Sequence, residues 1–171
     1  MDIAIISDTH MPRAGRRLPE ACVARLRAAE LILHAGDLIR GSVLEDLRAL
    51  GPPVLAVHGN VDDADMRREL PQSRIVDTAG ARIALIHDAG PRARRLARMR
   101  TRFPDADAVI FGHSHLPLHE RDAEDGFQIF NPGSPTERRR SPAHTMGLAR
   151  VSPDVRPGRR PRIEFELISV D

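Results

Sequence analysis

The stretch Asp2-Ile3-Ala4-Ile5-Ile6-Ser7-Asp8-Thr9-His10 decides the fold class. Its apolar run is too short for a helix and ends in polar residues, so it reads as a β-strand over 2–7. The strand then delivers a carboxylate and an imidazole at its carboxyl end. Similar short runs recur at 31–33, 54–57, 83–86, 108–111 and 128–130, each bounded by Gly, Asp, Pro or His. Helical spacing fills the intervals: Leu18, Cys22, Val23 and Leu26 share one face, and Val43, Leu44, Leu47 and Leu50 share another. Gly51-Pro52-Pro53 stops the second helix. Pro91 is expected to open a third over 92–103, with Leu96, Met99 and Phe103 inward and the arginines facing water.

The first half therefore alternates strand and helix, the pattern of βαβ units. After residue 125 strands and turns take over. Two last strands, 146–151 and 163–169, are expected to form a hairpin whose tip, Ser152 to Arg162, is rich in Pro, Gly and Arg. With 171 residues and no evident linker or repeat, a single domain spanning 1–171 is expected.

Composition narrows the function classes. Lys and Arg total 26 against 24 acidic residues, a formal charge of only +2. The pI of 9.8 reflects the absence of Lys and Tyr, which leaves little to titrate between neutral pH and Arg. Nucleic acid is thus disfavoured as a partner, as is stacking of single strands on a chain with five Phe and no Tyr or Trp. The Arg-rich stretches Arg138–Arg140 and Arg156–Arg162 read as solvated charge. Cys22, the one cysteine, sits among apolar residues and reads as a small buried hydrophobe. No leader-like segment precedes the first strand and no apolar run approaches the ~20 residues of a membrane span. A cytoplasmic protein with no membrane partner is expected. The sequence leaves the oligomeric state open.

In open α/β sheets the residues just beyond the strand carboxyl ends meet at one edge. Those positions hold Asp8 and His10, then Gly36-Asp37, then Gly59-Asn60-Val61-Asp62, then His87, then Gly112-His113-Ser114-His115. Singly, each has an ordinary explanation as a cap or a turn. Apart from Asp62, together they offer two carboxylates, one amide and four imidazoles, a donor set suited to Mn, Fe, Zn, Ni or Co. Seven donors exceed one tetrahedral ion and suit two ions sharing a carboxylate.

These motifs, D-x-H, G-D, G-N-x-D, H and G-H-x-H, resemble the calcineurin-like metallophosphoesterase superfamily. Asn131-Pro132-Gly133-Ser134 looks like its small, single-domain prokaryotic branch of phosphodiesterases. The resemblance implies an α/β fold of two packed β-sheets flanked by helices in four layers. It also implies a binuclear phosphoesterase whose nucleophile is a hydroxide bridging two divalent ions, with Mn favoured, and a small phosphate ester as substrate. Carried onto this chain, Asp8, His10 and His115 would hold the first ion. Asn60, His87 and His113 would hold the second, and Asp37 would bridge both. Asp37 and Asn60 are also its candidate catalytic residues.

Two positions depart from the family pattern. Val61 stands where many members have a leaving-group His, which implies a preference for good leaving groups or protonation through water. His58 is an alternative donor, although a His neighbouring the site is the plainer reading. His87-Asp88-Ala89-Gly90 replaces the common His-Gly-His, which puts the substrate more in question than the metals. His34, His119 and His144 read as non-ligands. The segment 131–140 reads as a polar loop, with Arg138 as an alternative phosphate contact. The competing function is a non-catalytic scaffold, since a retromer-coat relative uses this fold for protein contact. A superfamily nuclease is the third option.

Overall fold

In the computed structural model, which describes residues 1–153 and 161–171, the opening stretch forms β1 (Asp2–Ile6). Ile3 and Ile5 enter one buried cluster, Ala4 and Ile6 another. Such division is the period-two geometry of a strand covered on both faces, and it explains why the run lacks polar alternation. The next strand, β2 (Leu31–His34), divides the same way: Leu31 and Leu33 face one cluster and Ile32 the other.

With β3 (Val54–Ala56), β9 (Thr145–Ser152) and β10 (Arg162–Ser169), these strands form a mixed sheet in the order β10-β9-β1-β2-β3. A second mixed sheet contains β4 (Ser73–Thr78), β5 (Ala81–Ile86), β6 (Ala108–Ile110), β7 (Leu118–Arg121) and β8 (Gln128–Asn131), in the order β4-β5-β6-β8-β7. The sheets pack face to face through Ile3, Ile5 and Leu33 on one side and Ile83, Leu85, Ile110 and Phe130 on the other. Phe130 and Phe165 stack across the gap at 4.5 Å.

Helices α1 (Glu20–Ala28), α2 (Gly41–Arg48) and α3 (Ala64–Glu69) cover the outside of the first sheet with Cys22, Leu26, Val43, Leu44, Leu47 and Met66. On the second sheet α4 (Arg95–Arg102) seats Met99. The result is the expected four layers, helix–sheet–sheet–helix. Truncating Leu44 or Leu47 to Ala would cost about 2–5 kcal/mol, as for other fully buried leucines.

Three expectations need correction. The third helix begins at Arg95 rather than at 92, because Arg94 has φ 53°, a left-handed conformation that interrupts the helical run. Its arginines are not simply solvated. Arg95 donates to the Gly90 carbonyl and lies over Phe111, Arg98 caps the carbonyls of Ala89, Pro91 and Ala93, and Arg100 pairs with Asp125 over Phe127. Also, α3 and the strands β4 and β7 were not foreseen. Most of the expected hairpin tip and of the Arg156–Arg162 stretch lies outside the described residues. Among those described, no helix is long and apolar enough to cross a membrane.

Candidate metal centre

Strands β1, β2 and β3 run parallel, as do β5, β6 and β8, so each sheet presents three carboxyl ends together. From β1 come Asp8 and His10, from β2 Asp37, and from β3 Asn60. From β5 comes His87, and from β6 come His113 and His115. All seven predicted donors converge, in two groups. Asp8, His10 and His115 place one donor atom each within 4.8 Å of the others, and so do Asp8, Asp37 and His87. Oδ1 of Asn60 lies 3.0 Å from Nε2 of His87 and 2.8 Å from Nδ1 of His113, with those nitrogens 3.3 Å apart. Asp37 joins the groups: its Oδ2 is 3.2 Å from Nε2 of His10 and 3.3 Å from Nε2 of His87.

These spacings have a simple meaning. Donors about 2.1 Å from a common ion stand roughly 3.0 Å apart at right angles and 3.4 Å apart in a tetrahedron. His115 Nε2 is 3.4 Å from Oδ1 of Asp8. The Nε2 atoms of His10 and His115 are buried without a hydrogen-bond partner among the described residues. A buried orphaned polar nitrogen is costly, and a cation between these lone pairs and carboxylates would satisfy it. The donor set therefore fits divalent ions.

The backbone is bent to make this cluster. Asp8, His10, Asp37, His113 and His115 all have φ between 46° and 68°. Non-glycine residues rarely adopt this region, and such strain gathers at functional sites. Close approach also requires glycine: a Cβ on Gly59 would fall 2.0 Å from Oδ1 of Asp37, and one on Gly112 2.7 Å from Oδ2 of Asp8.

The profile of the calcineurin-like phosphoesterase superfamily domain matches residues 1–154. The chain belongs to that superfamily. A probable metallophosphoesterase of Methanothermobacter thermautotrophicus is 40% identical over 151 residues, covering 86% of this chain and 85% of its own. One from Methanocaldococcus jannaschii is 35% identical over 139 residues, covering 80% and 69%. The crystal structure of Chaetomium thermophilum Vps29 superposes with a TM-score of 0.75 over 100% of both chains at 18% identity, a likeness of fold.

A second set of groups holds these donors in place. Asp62 receives the backbone N–H groups of Asp37, Ile39 and Gly59, clamping the β2 and β3 ends together. Nδ1 of His87 contacts the Ala35 carbonyl at 2.8 Å, which turns Nε2 towards the cluster. Asp8 receives the His113 N–H on both oxygens and the Ser7 hydroxyl. The segment after Asn131 is a loop, as expected, with Arg138–Arg140 exposed, but residues 131–135 are buried rather than facing water. Asn131 donates to the Gly112 carbonyl, Ser134 to that of Asp8 and Thr136 to that of Thr9. Arg138, the alternative phosphate contact, instead caps the Pro142 carbonyl.

The remaining histidines take structural places. His34 links Thr9 to the Gly36 N–H behind Asp37, His119 meets Gln128 and the Phe130–Phe165 stack, and His144 pairs with Asp171. The ring of His58 contacts the Gly59 carbonyl, in keeping with the plainer reading. Val61 gives only its backbone N–H, to Oδ1 of Asp37.

Electrostatics separates the two carboxylates. Burial pushes Asp8 up to about 6, partly opposed by His87 and by the Ser7 hydroxyl. Burial also acts to raise Asp37, but the close His10 and His87 rings outweigh it and hold that carboxyl far below the usual range. Burial brings His115 down to about 4, so its ring is neutral, as a ligand must be. For His87, burial is outweighed by Asp37 and Asp8, and its pKa rises. Sequence reading missed Glu137 altogether and gave Asp62 no role. Glu137 sits in the run Thr136-Glu137-Arg138-Arg139-Arg140, which reads as surface charge, and no local signal separates it.

Proposed function

We propose that this protein hydrolyses phosphate diesters of small molecules with two divalent ions, Mn favoured over Fe, Zn, Ni or Co, in the cytoplasm. One observation carries the reading: donors from both sheets gather around Asp37, whose Oδ2 lies 3.2 Å from Nε2 of His10 and 3.3 Å from Nε2 of His87, with Asp8 common to both clusters of close donor atoms. Asp8, His10 and His115 would hold one ion, Asn60, His87 and His113 the other, with Asp37 between them. Bound there, the ions supply Lewis-acid stabilisation of phosphoryl charge and water activated near neutral pH. The chain's own part is to fix seven lone pairs in place. His87 is aimed by the Ala35 carbonyl and Asp37 by the Val61 N–H, so little rearrangement accompanies reaction.

Val61 has no side-chain proton to give, so the leaving oxygen must depart unaided or take its proton from water. Diesters with acidic leaving groups, such as aryl diesters, should therefore turn over fastest. The measurement is hydrolysis of bis(p-nitrophenyl) phosphate by Mn-loaded protein, with metal content determined alongside. About two Mn per chain with turnover, lost in Asp37→Asn, supports the reading. Tight metal binding without turnover on a panel of phosphate esters would favour the scaffold instead. Comparable rates from Asp37→Asn and the parent would remove the bridging role.

A further inference from the structure

The turn after β8 reaches every member of the first donor group. Oε2 of Glu137 stands 3.1 Å from Nδ1 of His10, an ion-pair contact not aligned as a hydrogen bond, and that oxygen is otherwise buried with no partner among the described residues. The Glu137 carbonyl accepts from Nδ1 of His115. Its N–H donates to the Ser134 hydroxyl at 2.9 Å, and that hydroxyl donates to the Asp8 carbonyl at 2.8 Å. On its other side Oε1 pairs with Arg16 at 3.1 Å and approaches Nε of Arg139 at 4.0 Å, which fixes the carboxylate from outside.

A neutral imidazole carries one proton, and the nitrogen without it keeps the lone pair. For His10 the choice matters, because Nε2 already stands 3.2 Å from Oδ2 of Asp37. With no acceptor beside Nδ1, the proton would favour Nε2 and bond to Asp37, occupying the lone pair that a cation needs. An acceptor at Nδ1 reverses that preference. His115 is handled by the same residue through a different atom, its backbone carbonyl.

We propose that Glu137 is a positioning residue of the metal centre: its carboxylate holds His10, and its carbonyl holds His115, as Nδ1–H tautomers with Nε2 turned to the cation. This rests on the binuclear reading above. The two contacts come apart under substitution, since Glu137→Ala removes the carboxylate and leaves the carbonyl. Glu137→Gln keeps an oxygen acceptor in place.

The test is a pair of measurements on the full chain. Imidazole nitrogen shifts of metal-free protein report the tautomers, and zinc titration against a competing chelator reports affinity. The parent should show Nδ1–H at both His10 and His115. In Glu137→Ala, His10 should lose that signature while His115 keeps it, and the tighter zinc affinity should fall about 10- to 100-fold. Glu137→Gln should restore most of both. A parent His10 protonated at Nε2 overturns the proposal whatever the variants do. So do unchanged zinc affinity in Glu137→Ala, or His10 and His115 shifting together. A parent that binds no zinc would overturn the binuclear reading as well, whereas two ions in parent and variant with equal affinity would sink the role of Glu137 alone.

Discussion

The two halves of the centre differ both in charge and in enclosure: Asp8, His10 and His115 include a carboxylate, whereas Asn60, His87 and His113 are an amide and two imidazoles. Asp8, His10 and His115 are buried, with exposures of 0%, 2% and 0%. Around them close Ser7, Ser134 and Glu137, and the left-handed backbone at all three donors is over-determined by that bracket. Asn60 and His113 are exposed, and only His87 of their group is buried. Their positions rest on one another and on Arg67, which caps the Asn60 carbonyl from the solvent side. Burial in the closed half makes a charged Asp8 costly without a cation, so an ion there is worth more. In the open half, water can replace Asn60 or His113 at little cost. Enclosure and the charge of Asp8, against the neutral amide of Asn60, should both make the closed half the tighter site for an ion.

Asp37 belongs to both halves, so its loss should produce the largest effect. Asp37→Asn leaves the amide near His10 and His87 but removes the shared charge. Turnover of an aryl phosphodiester should fall by at least about a hundredfold, and metal content should drop in both halves. A drop confined to one ion would break the comparison, since Asp37 would then serve one side alone.

The glycines sharpen it. A Cβ on Gly112 meets Asp8 Oδ2 and Ser7 inside the closed bracket, where nothing can move aside. Gly112→Ala should cost about 1–3 kcal/mol of stability, the usual penalty of overpacking, read as a lowered Tm of metal-free protein. Gly59→Ala would press its Cβ to 2.0 Å from Oδ1 and 2.6 Å from the backbone N of Asp37. Its Tm should fall at least as far, and its metal content should fall further because Asp37 itself is displaced. Equal metal content in the two variants would mean that Asp37 is no more important to the ions than Asp8. A smaller effect is expected at His113: His113→Ala should weaken only the looser of two zinc affinities, by about tenfold. Chelator titration of the tighter ion should be unaltered.

Much of this was legible in the sequence, because buried strands and their polar ends write themselves as short apolar runs followed by Asp, His or Gly. All seven donors were placed at strand ends, and the structure brings them together. What escaped reading acts at one remove. Glu137 and Asp62 look like ordinary charged residues until the chain brings them under His10 and Asp37. Edge strands escaped for a related reason: β4 leaves Ile75 exposed, and β7, with Leu118, His119, Glu120 and Arg121, buries little. Their apolar pattern is accordingly diluted. The arginines of α4 were misread because Arg reaches carbonyls whose direction depends on a loop fold that spacing does not reveal.

The smallest effect concerns the floor beneath both halves. His34 is buried and joins Thr9 at the end of β1 to Gly36 at the end of β2. Burial brings its pKa down to about 3, with His87 adding to the shift and Asp37 opposing it. The sign follows from proton counts. Below pH 6.5 the unfolded chain protonates this His while the folded chain does not, so its contribution to stability falls as pH drops from 6.5 towards 3. Between pH 7 and 6 the loss is about 0.7 kcal/mol for one such group. Asp8, raised to about 6, works the other way in metal-free protein by taking up a proton in the folded state. His115, brought down to about 4 by burial, adds to the loss, and His87, raised by Asp37 and Asp8 against its own burial, opposes it. The parent's slope therefore mixes several groups, and only a difference between variants isolates His34. Asn at position 34 offers an amide oxygen to the Gly36 N–H without titrating. Metal-free His34→Asn should lose about 0.7 kcal/mol less than the parent over that unit in urea unfolding. An equal loss in both would mean that His34 is protonated in the folded chain. The floor would then carry a charge that the open half, with its access to water, is better placed to bear.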